Sequence, residues 1–191
     1  MSWQDEISRS LFALWRIIRF DPAGPSYFNL TVDGFWRSFA APIVLIPVLS
    51  ILLVPVLAMV PDETERPGGM TSVVVATLSD YVFLVLFPLI MIPVTRWLKV
   101  SENYSTFIIA WNWAIVVPVL FFLPMAILTA GDFISAGVTQ MVILSFFLFL
   151  VYFSFLIART CLECHGAAAA AVVVLDYVLV EVVDYAIKSL A

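Results

Sequence analysis

Two groups of side chains have the types and spacing to carry chemistry. Cys161-Leu162-Glu163-Cys164-His165 matches C-x-x-C-H, the pattern in which two thiols bond the vinyl groups of haem and the histidine ligates its iron. Attachment needs an oxidising compartment, and the distribution of basic residues described below puts this turn on the reducing side. His165 is the only histidine of the chain, and three ligands in one turn leave a structural zinc site one short. No cofactor and no metal are therefore expected, and the pair is read as two reduced cysteines in a short turn.

The second group is the acid series Asp176, Glu181 and Asp184 in the apolar stretch 167–186. An Asp near the centre of a span costs on the order of 2.5 to 3.5 kcal/mol, and the Val and Leu residues of this stretch return roughly 3 to 5. The three acids fall within about 140° on a helical wheel, so all of them can face the interior of a bundle and line a proton or cation path. The alternative, which is preferred, is structural. Asp184 pairs with Lys188 at i, i+4, Glu181 reaches the interface, and Asp176 is neutral or bonded to a neighbouring helix such as the one bearing Asn112. Asn112, between Trp111 and Trp113, is a lone buried amide within the most central apolar stretch.

The elements that must position these groups are membrane spans. With 63% hydrophobic residues, 12% charged residues and a mean hydropathy of +1.09, the chain is far too apolar and too sparsely charged for a water-soluble fold. Five stretches are long enough to cross a hydrocarbon core of roughly 30 Å as helices: 39–60, 73–95, 106–128, 133–158 and 167–186. The second is most apolar from Tyr81 onward, and the third is the natural centre of the bundle. Pro42, Pro47, Pro55, Pro88, Pro93, Pro118 and Pro124 all fall in the first three. Each strands a backbone carbonyl that a neighbour must satisfy, which predicts bent helices packed together. The fold class is thus all-α, a polytopic membrane domain over 39–191 preceded by a segment, 1–38, with no secretory signal peptide.

Within that segment Ser2-Trp3-Gln4-Asp5 fits a capping box and starts a helix. Ile7, Leu11, Leu14, Trp15 and Ile18 fall on one side and Arg9, Arg16 and Arg19 on the other. That pattern predicts an amphipathic helix lying on an anionic leaflet, with Arg9, Arg16, Arg19 and Trp15 as lipid-binding residues. The alternative is a helix packed against the bundle or a partner. Asp21-Pro22-Ala23-Gly24-Pro25 ends it, and the Asn29-Leu30-Thr31 sequon carries no weight. Arg9, Arg16, Arg19, Arg37, Arg96, Lys99 and Arg159 share one side of the five-span topology, against Arg66 and Lys188 on the other, which predicts a cytoplasmic N-terminus. All six tryptophans, Trp3, Trp15, Trp36, Trp97, Trp111 and Trp113, fall towards the same side.

A basic amphipathic start, the Phe-rich linker FDPAGPSYFNLTVDGFWRSF and five closely spaced spans with this topology resemble the small bacterial members of the Yip family. These are five-span proteins whose eukaryotic relatives interact with Rab GTPases in membrane traffic. The Asp-Leu-Tyr-Gly-Pro and Gly-Tyr-Ser signatures of the eukaryotic proteins are absent, so no GTPase contact is implied. The expectation is a non-enzymatic inner-membrane protein that organises membrane or partner proteins, or an accessory subunit of a larger complex. Its partners are lipids and other membrane proteins, not nucleic acid. The rival is a small transporter or proton conductor using the acids of the fifth span.

Overall fold

A computed structural model describes residues 2–58 and 70–190. It contains α1 (Trp3–Ile18), α2 (Val32–Ser38), α3 (Ala40–Ala58), α4 (Met70–Trp97), α5 (Tyr104–Ala114), α6 (Val116–Ala130), α7 (Ala136–Cys161) and α8 (Gly166–Lys188). Among the described residues there is no strand. Helix starts follow from local chemistry: Ser2, Thr31, Ser135 and His165 each cap a helix with a side-chain acceptor. Helix ends do too, since Phe20, Lys99, Asp132 and Glu163 take left-handed backbone angles just beyond α1, α4, α6 and α7. Five helical segments are long and apolar enough to cross a membrane, with α5 and α6 forming one of them. They overlie the five expected stretches and mark a multi-pass membrane protein. Between the first two expected stretches, residues 59–69 lie outside the described residues, and Arg66 with them.

Short connections make successive spans antiparallel. As a result α1, α2, the end of α4, the start of α5, the end of α7 and the start of α8 gather at one end, with Arg96, Lys99 and Arg159 among them. This is the basic end of the bundle. Around the bundle α3 packs on α6 and α4, and α8 packs between α4 and α7. The centre is α5, which touches α1, α2, α3, α4, α6 and α7. Phe107, Ile108, Ile109, Ala110, Asn112 and Trp113 of this helix are all buried. That enclosure also changes the expected tryptophan belt. Trp3, Trp15, Trp36 and Trp97 are exposed, whereas Trp113 lies in the core and Trp111 faces inward. The third span is interrupted after Ala114. Pro118 has no N–H to give the Ala114 carbonyl, so the ladder breaks one turn upstream of it.

At the basic end α1 docks on α5 and α7. Its buried face is Glu6, Ser10, Ala13, Leu14 and Ile17, so the predicted apolar stripe is split. Leu14 turns into the protein, while Ile7, Leu11 and Trp15 remain exposed beside Trp3 and Phe12. Close approach is required of Gly34 in particular, since a Cβ there would stand 2.2 Å from the Asn29 carbonyl oxygen. Asn29 and Thr31, the sequon residues, are used locally: Thr31 donates to Asn29 Oδ1 and accepts from the Gly34 N–H.

Candidate functional site

A cavity of 260 Å³ is lined by residues of α3, α4, α5, α6, α7 and α8. Its walls are mainly apolar and aromatic. The polar groups that reach it are Asp80 from α4, Trp111 and Asn112 from α5, Ser154 from α7, and Asp176 and Tyr177 from α8. A largely apolar cavity with a few convergent polar side chains is the usual form of a small-ligand site.

Asp176 is held in place from across the cavity. The indole Nε1 of Trp111 donates to its Oδ1 at 3.3 Å. The neighbouring helix that answers Asp176 is therefore the one bearing Asn112, as the structural alternative expected, and the partner is the adjacent indole. Asn112 itself points its amide nitrogen the other way, with Nδ2 donating to Ser38 Oγ at 2.8 Å. Ser38 in turn donates to the Phe35 carbonyl at 2.7 Å. The carbonyl oxygen Oδ1 of Asn112 is buried and has no hydrogen-bond partner, in a residue that is 1% exposed. A buried amide acceptor left open in this way costs about 1 to 3 kcal/mol, which a ligand donor or a bound water would recover.

The other two acids of the fifth span do not join this site. Asp184 pairs with Lys188, Oδ2 to Nζ at 2.6 Å, and Glu181 is exposed. The cavity's second carboxylate is Asp80, which the sequence reading passed over. A signal for it exists: Asp80, Leu84, Phe87 and Met91 follow i, i+4, i+7, i+11 spacing, and the last three are buried. An acid in phase with a buried stripe faces the bundle. At 1.5 Å per residue along the helix axes, Asn112 lies about 12 Å and Asp176 about 15 Å from the basic end, and Asp80 and Asp184 lie about 26 Å from it. These groups are thus spread through most of the depth of the spans.

Two further clusters bring reactive or charged side chains together. The C-x-x-C-H turn is structural: Cys161 and Cys164 are free thiols, and His165 Nδ1 accepts from the Ala168 N–H at 3.0 Å to cap α8. Burial pushes the Cys164 thiol above its usual range, which disfavours the thiolate a metal would need. Among the described residues no three His, Cys, Asp or Glu side chains are placed to hold a metal ion. At the basic end Arg37 joins α2 to α1. Its Nε lies 3.1 Å from Oε2 of the buried Glu6, its NH1 lies 3.5 Å from Asp33, and its guanidinium covers the Trp3 ring at 4.1 Å.

The predicted lipid-binding residues are not equivalent. Arg16 is bonded to Asp21 and Tyr27, whereas Arg19 lies over the exposed Trp15 ring at 4.7 Å and Arg9 is exposed. Comparison with protein-family models, with curated proteins and with solved structures finds no match, so nothing identifies the Yip family for this chain.

Proposed function

We propose that this chain is a small inner-membrane carrier, with its N-terminus in the cytoplasm, whose central cavity takes up a proton or a small cation. The observation that carries this is the meeting of Asp80, Asp176 and the open Asn112 carbonyl in one cavity inside the span bundle. Carboxylates within spans are costly, and they are retained chiefly where they serve an ion or proton pathway. The spread of polar groups from Asn112 to Asp184 supports the same reading, because a carrier needs stations at more than one depth. Orientation rests on the basic end, since Lys and Arg accumulate on the cytoplasmic side of membrane proteins.

The test is flux. Wild-type protein in vesicles carrying an internal pH dye should dissipate an imposed pH gradient faster than empty vesicles. Asp176→Asn and Asp80→Asn should each remove most of that excess rate while leaving the fold intact. Wild-type vesicles indistinguishable from empty ones would dispose of the carrier.

A second reading, membrane organisation through the N-terminal helix, is favoured by one observation. Trp3, Ile7, Leu11 and Trp15 form an exposed apolar ridge at i, i+4, i+8, i+12 of docked α1, with Arg19 over the Trp15 ring. Such a ridge fits insertion into the headgroup boundary. Brominated lipids placed at that depth should quench Trp3 and Trp15 in nanodiscs, and unquenched fluorescence at both would point to a protein partner on this face.

A further inference from the structure

We infer that the ligand of the central cavity is a compact organic ammonium ion, a cationic nitrogen on an apolar or aromatic body; this rests on the carrier reading and names its substrate class. Charge comes first. Asp80 and Asp176 reach the cavity and no Lys, Arg or His lines it, so an anion is repelled and a neutral molecule brings no countercharge. Asn112, which lines the same cavity, adds a buried carbonyl oxygen without a partner, a further acceptor for a ligand that donates or carries positive charge.

The nature of the cation follows from the walls. A hard metal ion takes about six oxygen ligands at close range, and among the described residues no three ligating side chains converge. A proton alone needs no space, yet the cavity holds 260 Å³, several times the roughly 30 Å³ share of one water. Around that space stand Phe83, Phe87, Phe107, Trp111, Phe153 and Tyr177. The Trp111 ring contacts Phe87 at 4.6 Å and Phe83 at 5.6 Å between centroids, and its indole N–H is turned to Asp176. Aromatic rings and carboxylates lining one cavity are the chemistry that recognises an ammonium group, because the ring quadrupole attracts the cation as its hydration shell is lost. The apolar remainder of the wall then receives the body of the molecule.

The experiment uses the full chain in nanodiscs, titrated calorimetrically with benzyltrimethylammonium and, as a neutral control of similar shape at its aromatic end, benzyl alcohol. Saturable binding of the ammonium, at least tenfold tighter than the alcohol, is the result expected. Asp176→Asn and Asp80→Asn should each weaken it tenfold or more and Phe83→Leu about threefold, with the exposed Glu181→Gln unchanged. If an Asn variant does not fold, the wild-type comparison of cation with alcohol still decides. Equal binding of the two probes, or no saturable binding of the ammonium, overturns the inference. Proton flux in wild-type vesicles with no ammonium binding overturns the ligand class alone and leaves the carrier standing. Charge-selective binding with no transmembrane flux of protons or of the ammonium itself upholds the ligand class and removes the carrier.

Discussion

The Tyr81 hydroxyl donates to the Ile43 carbonyl across the α3–α4 interface at 2.7 Å. Ile43 stands four residues before Pro47, so its carbonyl is the one that Pro47 deprives of a helical partner. In lipid such a group has no water to turn to, and a donor from the next helix replaces the missing N–H.

Tyr81→Phe should therefore lower thermal stability in detergent by about 1 kcal/mol, within the range for interhelical hydrogen bonds in membranes. In a Pro47→Ala background the backbone N–H returns and the same change should cost clearly less. Equal costs in the two backgrounds would mean that the tyrosine is not answering the proline.

The buried pair Glu6–Arg37 is the polar link between α1 and α2. Removing one partner leaves the other charge buried without compensation, which costs about 3 to 5 kcal/mol where burial is complete. Glu6 is 1% exposed and the Arg37 side chain 16%, so Arg37→Ala should fall near the lower figure. The double change Glu6→Leu with Arg37→Met should be much milder than either single change. Unfolding of α1, followed by proteolysis near residue 20, is the measurement. Additive losses would show that the two residues act separately.

Outside the spans, Asp21 gives a pH dependence. The Ala23 N–H and then the Arg16 guanidinium bond its carboxylate and hold it below the usual aspartate range. A depressed folded value means that the contribution is present above the unfolded value and is lost as pH falls through the folded one. The turn that ends α1 should thus loosen only below the ordinary aspartate range, and Asp21→Asn should show the loosened state at neutral pH. Amide exchange at Ala23 and Gly24 reports it; exchange that is flat with pH in the wild type would contradict it.

The five spans were legible because lipid admits almost nothing but long apolar helices, and hydropathy reads that constraint directly. The central place of the third span was legible as well, from its position in the order. The cavity was half legible. Asp176 stood out in a strongly apolar run, but Asp80 lies just before the most apolar part of its helix, where a polar residue passes for a helix end. Only the phase it shares with Leu84, Phe87 and Met91 marks it as inward. The face on which α1 docks was not legible. Its buried stripe includes Glu6 and Ser10, and hydrophobic periodicity cannot see a carboxylate whose burial is settled by an arginine 31 residues away.

The interruption between α5 and α6 bears on the cavity, because Ala114, Ile115 and Pro118 are all part of its wall. Pro118 withholds the N–H that would close the turn on Ala114, and proline in a helix interior commonly kinks it by more than about 20°. Pro118→Ala restores the donor and removes the ring clash, so α5 and α6 should run on as one straighter helix. Spin labels at residues 104 and 130 should then move apart, with helix content unchanged or raised. Straightening shifts Trp111 and Asn112 relative to Asp176, so the Trp111–Asp176 bond should weaken and uptake through the cavity should fall although no polar group has been removed. Label distances that do not change would place the interruption in the packing of the neighbouring helices and not in the proline.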